Sequence, residues 1–456
     1  MIGVTQDRDA ATAAFARLWE KTPSGGRSWV DRVRTEAMAR FSQLGFPTTR
    51  DEEWKKTSVA PIARSDFRLP EPAPVPASVD ADSLERLTFR SEGCAVMVFI
   101  NGSFAPTLSR TGPLPEGVRA GSLAAACETA REVVEPHLSR YATSDGHAFT
   151  ALNTAFLRDG AFIYVPDGCV VPRPIHVVFV TIAPETADGA PVLMLSPRVL
   201  VVAGRAAEMT LVESYASAGP GRYFTNAVTE MAIGRDASVD HYKLQREADE
   251  AWHVAVQQAH LEGTARLASH SISLGGGLVR NESNVVLAVE GAQCALNGLY
   301  LAGGRQHVDN HTLIDHVKPG CVSREVYKGV LDGRARGVFN GKVIVRPLAA
   351  RTDSKQANRN LLLSDEALVD TKPELQIFNN DVKCTHAAAI GQLDETAIFY
   401  LRSRGLGREA ARSILIHAFV SEIIGGIKVA PLRGSLEALM MARLPEPLPA
   451  GMEVSP

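Results

Sequence analysis

Aromatic residues are scarce in this 456-residue sequence, at 6%, so a core must be built mainly from aliphatic side chains. Cysteines are few: Cys94, Cys127, Cys169, Cys294, Cys321 and Cys384 lie far apart with no CxxC pair. That spacing excludes a disulfide scaffold and a self-contained zinc ribbon, and it suits a chain kept reduced in the cytoplasm. No apolar run reaches the roughly 18–20 residues of a membrane-spanning helix; the longest candidates are Ile414–Val420 and Val199–Ala203. The opening MIGVTQDRDAATAAF has acidic residues and no apolar centre, which argues against a secretory signal. Charge of one sign is missing too. Lys+Arg 48 against Asp+Glu 51 leaves -3, so no basic field marks a nucleic-acid binder.

The common catalytic signatures are also absent. There is no G-x-x-x-x-G-K-[ST], no G-x-S-x-G and no H-E-x-x-H, and Gly275–Gly277 lacks the strand and helix context of a dinucleotide turn. A chain without a P-loop does not hydrolyse nucleotide by that route. These absences argue against a free-standing enzyme.

What is present is pattern. After Ser28, read as an N-cap, Val30, Val33, Ala37, Phe41 and Leu44 form an apolar stripe of helical period, stopped by Gly45 and Pro47. The proline-rich LPEPAPVPASVDA (Leu69–Ala81) reads as an extended linker closing an N-terminal helical region, 1–80. Strand-like runs follow: CAVMVFI, AFIYVPDG, IHVVFVTI, VLMLS and RVLVVAG, interrupted by a helical insertion near 120–142. Turn glycines at Gly204, Gly234, Gly263, Gly291 and Gly320 open successive strands with a beat near 29 residues. Short strands on such a beat, with no intervening helix, predict a mainly β fold: a right-handed parallel β-helix (solenoid) core. The beat covers roughly 140–375, and the core is placed at 81–390. An antiparallel sandwich would turn more often and without the longer beat. Residues 391–441 read as a C-terminal helical region. Within it, Asp394 caps Thr396–Gly405, a second helix spans Gly407–Gly426, and 442–456 read as a disordered tail.

Two clusters hold metal-ligand chemistry. In RQHVDNHTLIDHVKPGC, His307, Asp309 and His311 alternate along a strand and share a face, with His316 and Cys321 after them. Without zinc-like spacing, they read as a hydrogen-bonded polar ladder. In NDVKCTHAAAIGQLD, Cys384 and His386 would also project together, offering two donors that cannot complete a site alone. On the residues alone, a structural cysteine beside a solvated histidine is the plainer reading. Cys94, Cys127, Cys169 and Cys294 read as core filler. Tyr400, Arg402, Arg404, His417 and Phe419 mix apolar and basic character on the final helices, as a docking surface would, although a solvated face reads much the same.

Several long motifs, in order, resemble the SufB/SufD family of the SUF iron–sulfur cluster assembly system. They are GFPTTRDEEWKKT (Gly45–Thr57), FINGSFAPTLS (Phe99–Ser109), GVFNGKVIV (Gly337–Val345), TDSKQANRNLLLSDEALVDTKPELQI (Thr352–Ile377), DVKCTHAAAIGQLDE (Asp381–Glu395) and FYLRSRGL (Phe399–Leu406). The resemblance implies a right-handed β-helix flanked by helices, in a non-ATPase subunit that pairs with a SufB-like paralogue and a SufC-like ABC ATPase. The paralogue would meet the chain at about 330–390. The ATPase would dock at about Thr396–Ile424, where Tyr400, Arg402, Arg404, His417 and Phe419 lie. A cysteine desulfurase system enters as an indirect partner, and self-association is open to the isolated chain. The family's Cys-Ser-His-Gly motif reads Cys384-Thr385-His386-Ala387 here, so His386 and Cys384 match the residues associated with a transient Fe–S cluster or iron at the paralogue interface. None would be held stably by the isolated chain. The scaffold paralogue's T-Q-C-D-S cysteine has no counterpart in KQANRNLLLS (Lys355–Ser364), which places the resemblance on the SufD side of the family. A β-helix carbohydrate-active enzyme and a purely structural clamp without ligand residues are the alternatives; the first is poorly served by so few aromatics.

Overall fold

The computed structural model describes residues 12–22, 28–71, 75–76, 79–89, 91, 93–183, 185 and 189–446. The Leu69–Ala81 linker is therefore described only in part. Of the expected disordered tail, 447–456 lie outside the described residues.

From Arg198 to Gly391 the chain alternates between two sheets, of eleven and ten strands. Each coil gives one strand to the first sheet, turns a corner, and gives the next to the second. Within each sheet the coils stack in parallel register. Register partners in the second sheet lie 27 to 31 residues apart, as Arg266 opposite Gln293 and Val322 opposite Asp353 show. This is a parallel β-solenoid with two strands per coil, and it accounts for the beat in the sequence. Ala95–Ile100 and Ile175–Thr181 extend the second sheet at the N-terminal end.

The corner between the sheets explains why the beat is visible. One to three positions before the strand that follows it, the backbone is left-handed at Ala206, Asp236, Gly263, Gly291, Gly320 and Arg351. One or two residues on, each of these corners places a small buried residue: Ala207, Ala237, Ala265, Ala292, Cys321 and Thr352. Cys321 thus occupies an alanine-like corner position, its Sγ 3.4 Å from the Val289 carbonyl. The glycines seen in the sequence sit at slightly different places in successive turns. What recurs is the left-handed residue, which only some coils give to glycine.

The interior is aliphatic at one side and polar at the other. Met209, Leu211, Val239, Leu267 and Val285 belong to the main apolar cluster. Glu213, in the same interior, accepts from Tyr215 Oη (2.8 Å) and Thr229 Oγ1 (3.0 Å) and lies 3.1 Å from His241 Nε2. Lys243 Nζ contacts His253 Nε2 at 2.8 Å and donates to Asn281 Oδ1 at 2.6 Å, while His253 Nδ1 meets Glu247 at 2.6 Å. Burial lowers the Lys243 ammonium to about 8 against the pull of Glu213 and Glu247. These groups are tolerated because each charge has a partner; an unpaired one would cost several kcal/mol.

The flanking helices cover the outer faces. The Ser28–Leu44 helix packs its stripe against Ala148–Ala155 through Phe41, Phe46 and Phe149, and Gly45 closes it with φ 59°. Ser28 is its first residue rather than its cap. Residues 52–57 then run as a strap across the first sheet. Trp54 lies under the Arg280 guanidinium (3.7 Å), and Thr57 Oγ1 donates to Asp309 Oδ2 and contacts His307 Nε2 at 2.8 Å. Glu53 reaches Lys342 (3.2 Å), Lys56 pairs with Asp370 (2.7 Å), and Glu52 pairs with Lys372 (3.1 Å). Of the C-terminal helices, Arg408–Ile424 and Ala430–Met441 pack on the second sheet, where Ile416, Val420 and Leu436 cover Leu244, Ile272 and Val330, and Glu395–Ser403 packs against Arg408–Ile424.

Candidate functional site

The solenoid ends without a cap. Leu368–Ile377 and Val382–Gly391 are the terminal strands of the two sheets, and among the described residues no strand pairs with their outer edges. Large apolar side chains stand exposed around this end: Leu348, Leu368, Ile377, Phe378 and Ile390. Unpaired backbone beside exposed apolar side chains is the chemistry of an interface awaiting a partner.

Cys384 and His386 lie on the terminal strand opposite Ser354 and Gln356. Alternate residues of a strand share a face. Cys384 is half-buried and packs against the solenoid core, so the shared face is the inner one. Burial pushes its thiol up from the ordinary value. His386, two residues along the same strand, is exposed, and no hydrogen bond or ion pair among the described residues holds its ring. Ala387 has no positive φ, so the strand demands no glycine where this motif departs from Cys-Ser-His-Gly. Among the described residues no group of three or more His, Cys, Asp and Glu side chains could hold a metal ion. The pair offers one thiol and one imidazole, and further donors must come from elsewhere.

The other sequence candidates are separated from this end. Asp309 is buried between Arg280 (2.6 Å) and His311 (3.0 Å), and His307 meets Thr57, so this trio is the hydrogen-bonded ladder that anchors the strap. His316 faces the interior, with Nε2 2.9 Å from Ser323 Oγ. On the first C-terminal helix Tyr400 is exposed, with the Arg404 guanidinium 5.2 Å from its ring centre and Arg402 exposed nearby. His417 is half-buried, with Nδ1 3.3 Å from Ser421 Oγ. Phe419 turns toward the solenoid under Lys328, whose Nζ lies 4.7 Å from its ring centre.

Sequence reasoning missed the strap contacts and the interior charges. The segment RDEEWKKT mixes acids and bases as a solvated turn would, and nothing in it names Arg280 or Asp309 as partners.

The described residues thus form a parallel β-solenoid with helical flanks and an open end that carries a thiol and an imidazole. The chain belongs to the SufBD family of iron–sulfur cluster assembly proteins. The family model described as "SUF system FeS cluster assembly, SufBD core domain" matches residues 185–419, and the SufBD protein N-terminal region matches 13–177. It is 34% identical to an iron–sulfur cluster assembly SufBD family protein of Synechocystis, over 90% of both chains. It is 29% identical to the iron–sulfur cluster assembly protein SufD of Escherichia coli, covering 90% of this chain and 93% of that one. With SufD of Bacillus subtilis the identity is 25%, over 91% and 93%. No described helix is long and apolar enough to cross a membrane.

Proposed function

We propose that this chain is a non-ATPase subunit of a cluster-assembly complex. Its open solenoid end pairs with a SufB-like paralogue, and its C-terminal helices dock a SufC-like ABC ATPase that supplies the nucleotide chemistry. The nascent iron–sulfur cluster is cargo at the paralogue interface, where His386 and Cys384 supply two of its donors. One observation carries this reading: the same uncapped coil presents both donors, two unpaired sheet edges and the exposed Ile377, Phe378 and Ile390. A partner that continues the sheets would bury those apolar groups and bring the missing ligands to the same place. Neutral imidazole and thiolate are competent donors to iron near neutral pH.

No specific observation favours a carbohydrate-acting enzyme, and a clamp without ligand residues is an outcome of the test. The chain is purified anaerobically from cytoplasm with its partners, and iron and acid-labile sulfide are measured on the eluate. Partners retained by wild type and by His386→Ala, with iron and sulfide lost only in the variant, support the reading. Unchanged iron and sulfide leave a clamp. Absence of both a paralogue and an ATPase overturns the assembly role.

A further inference from the structure

Along the second corner of the solenoid, where the chain returns from one sheet to the other, runs a groove of about 1280 Å³. The strap forms one wall and the C-terminal helices form the other. Two features set this groove apart from a packing defect.

The first is its charge. Lys55, Lys56, Arg222, Arg305, Arg336 and Arg443 line it, against Asp249, Glu250 and Asp332. Three positive charges are thus in excess, in a chain whose own total is -3. The acids are engaged: Glu250 pairs with Arg222, Asp249 accepts from Gln306 at 3.1 Å, and Asp332 accepts from the Gly333 amide at 2.8 Å. Lys56 and Arg336 both pair with Asp370, but Lys55 and Arg305 make no ion pair among the described residues. A cleft with one sign in excess concentrates counter-charge.

The second is the division of its walls. Leu301, Val330 and Leu363 of the second sheet face Ile416, Val420 and Met440 of the helices and make one end apolar. The floor between the ends is bare backbone at Gly303 and Gly304, where an added Cβ would meet nothing within 4 Å.

We propose that this groove binds an amphipathic organic anion, a ligand with an apolar ring-sized body and at least one acidic group. The body lies between Leu363 and the helices, and the acidic group meets Lys55 and Arg305 across the glycine floor. Such a ligand would touch the strap and the C-terminal helices at once. The site is separate from the open end and does not rest on the cluster reading.

Anilinonaphthalene sulfonate, an aromatic body with one fixed negative charge, is the probe, titrated by fluorescence against the full chain. Saturable binding of one equivalent, weakened about tenfold by high salt and by Lys55→Glu/Arg305→Glu, is expected. Both residues are exposed, so the double variant should keep the wild-type Tm. Leu363→Gln should weaken binding without removing its salt dependence. Displacement by pyrophosphate assigns a phosphate-bearing ligand, and displacement by benzoate a carboxylate; either supports the site. Displacement by neither, non-saturating binding, or a double variant that binds as wild type does would overturn it.

Discussion

Glu325 and Gln356 stand in register on neighbouring interior strands, with Gln356 Nε2 donating to Glu325 Oε2 at 2.6 Å. Among the described residues no cation pairs with this carboxyl, and burial pushes it up to about 7 against the hydrogen bond from Gln356. An acid whose folded pKa is raised favours the folded state while protonated, and it withdraws that stability as pH rises from the ordinary carboxyl range through about 7. Glu325→Gln should therefore be near neutral around pH 5 and stabilising by about 2–3 kcal/mol near pH 8. Urea denaturation at the two pH values checks this, and equal effects at both would refute it.

The strap carries a dependence of the same sign, starting from the ordinary imidazole range instead of the carboxyl range. Burial works against a charge on His311, but Asp309 and the hydrogen bonds to Asp309 and Glu53 outweigh it, so its pKa is raised despite the nearby Arg280. The His311 contact holds the Glu53 carboxyl down at about 2, against its partial burial and with help from Lys342. A histidine with a raised folded pKa gives its full stabilisation below its ordinary value and loses it as pH climbs through the folded one. The Tm advantage of wild type over His311→Gln should shrink from about pH 6 to about pH 8. An advantage that grows over that range would mean the imidazole is held neutral.

Arg280 ties the strap to the solenoid from below. Its guanidinium meets Glu282 (2.8 Å), Asp309 (2.6 Å) and the Glu53 carbonyl (2.8 Å), at 1% exposure. Arg280→Leu leaves two buried carboxylates short of a partner and should cost about 3–5 kcal/mol. A loss below 1 kcal/mol by chemical denaturation, near the worth of a surface ion pair, would show that the strap is not anchored here.

The corners allow a test with opposite signs. Ala206 holds a left-handed backbone (φ 54°) at the place where Gly320 (φ 67°) sits two coils from the open end. Ala206→Gly should stabilise and Gly320→Ala destabilise, each by about 1 kcal/mol, because a Cβ is strained in that conformation. Thermal unfolding of the two variants decides it. Shifts of the same sign would rule out backbone strain as the cause.

The sequence revealed the fold at its corners and concealed it in its interior. Turn geometry is local, so the recurrence of Gly204 to Gly320 survives in one dimension. The interior of Thr352–Leu362 is lined by Ser354, Gln356, Asn358 and Asn360, and polar residues on both faces give a strand no visible inward side. Spacing put Cys384 and His386 on a common face, where the structure has a packed thiol beside an exposed ring, and the ligand role given to them rests on the family resemblance. The strap joins residues more than two hundred positions apart, such as Thr57 and Asp309. Contacts of that kind leave no periodic trace.

A stack of coils behaves as a one-dimensional array in which each member is steadied by its neighbours on both sides. The coil bearing Cys384 and His386 has a neighbour on one side only, so it occupies the position where local opening costs least. Whatever docks there supplies the missing half of that coil's support as well as contacts of its own. On the proposed pairing, the spacing of the Cys384 thiol and the His386 imidazole would be set by association, and both would stiffen only when a partner completes the stack.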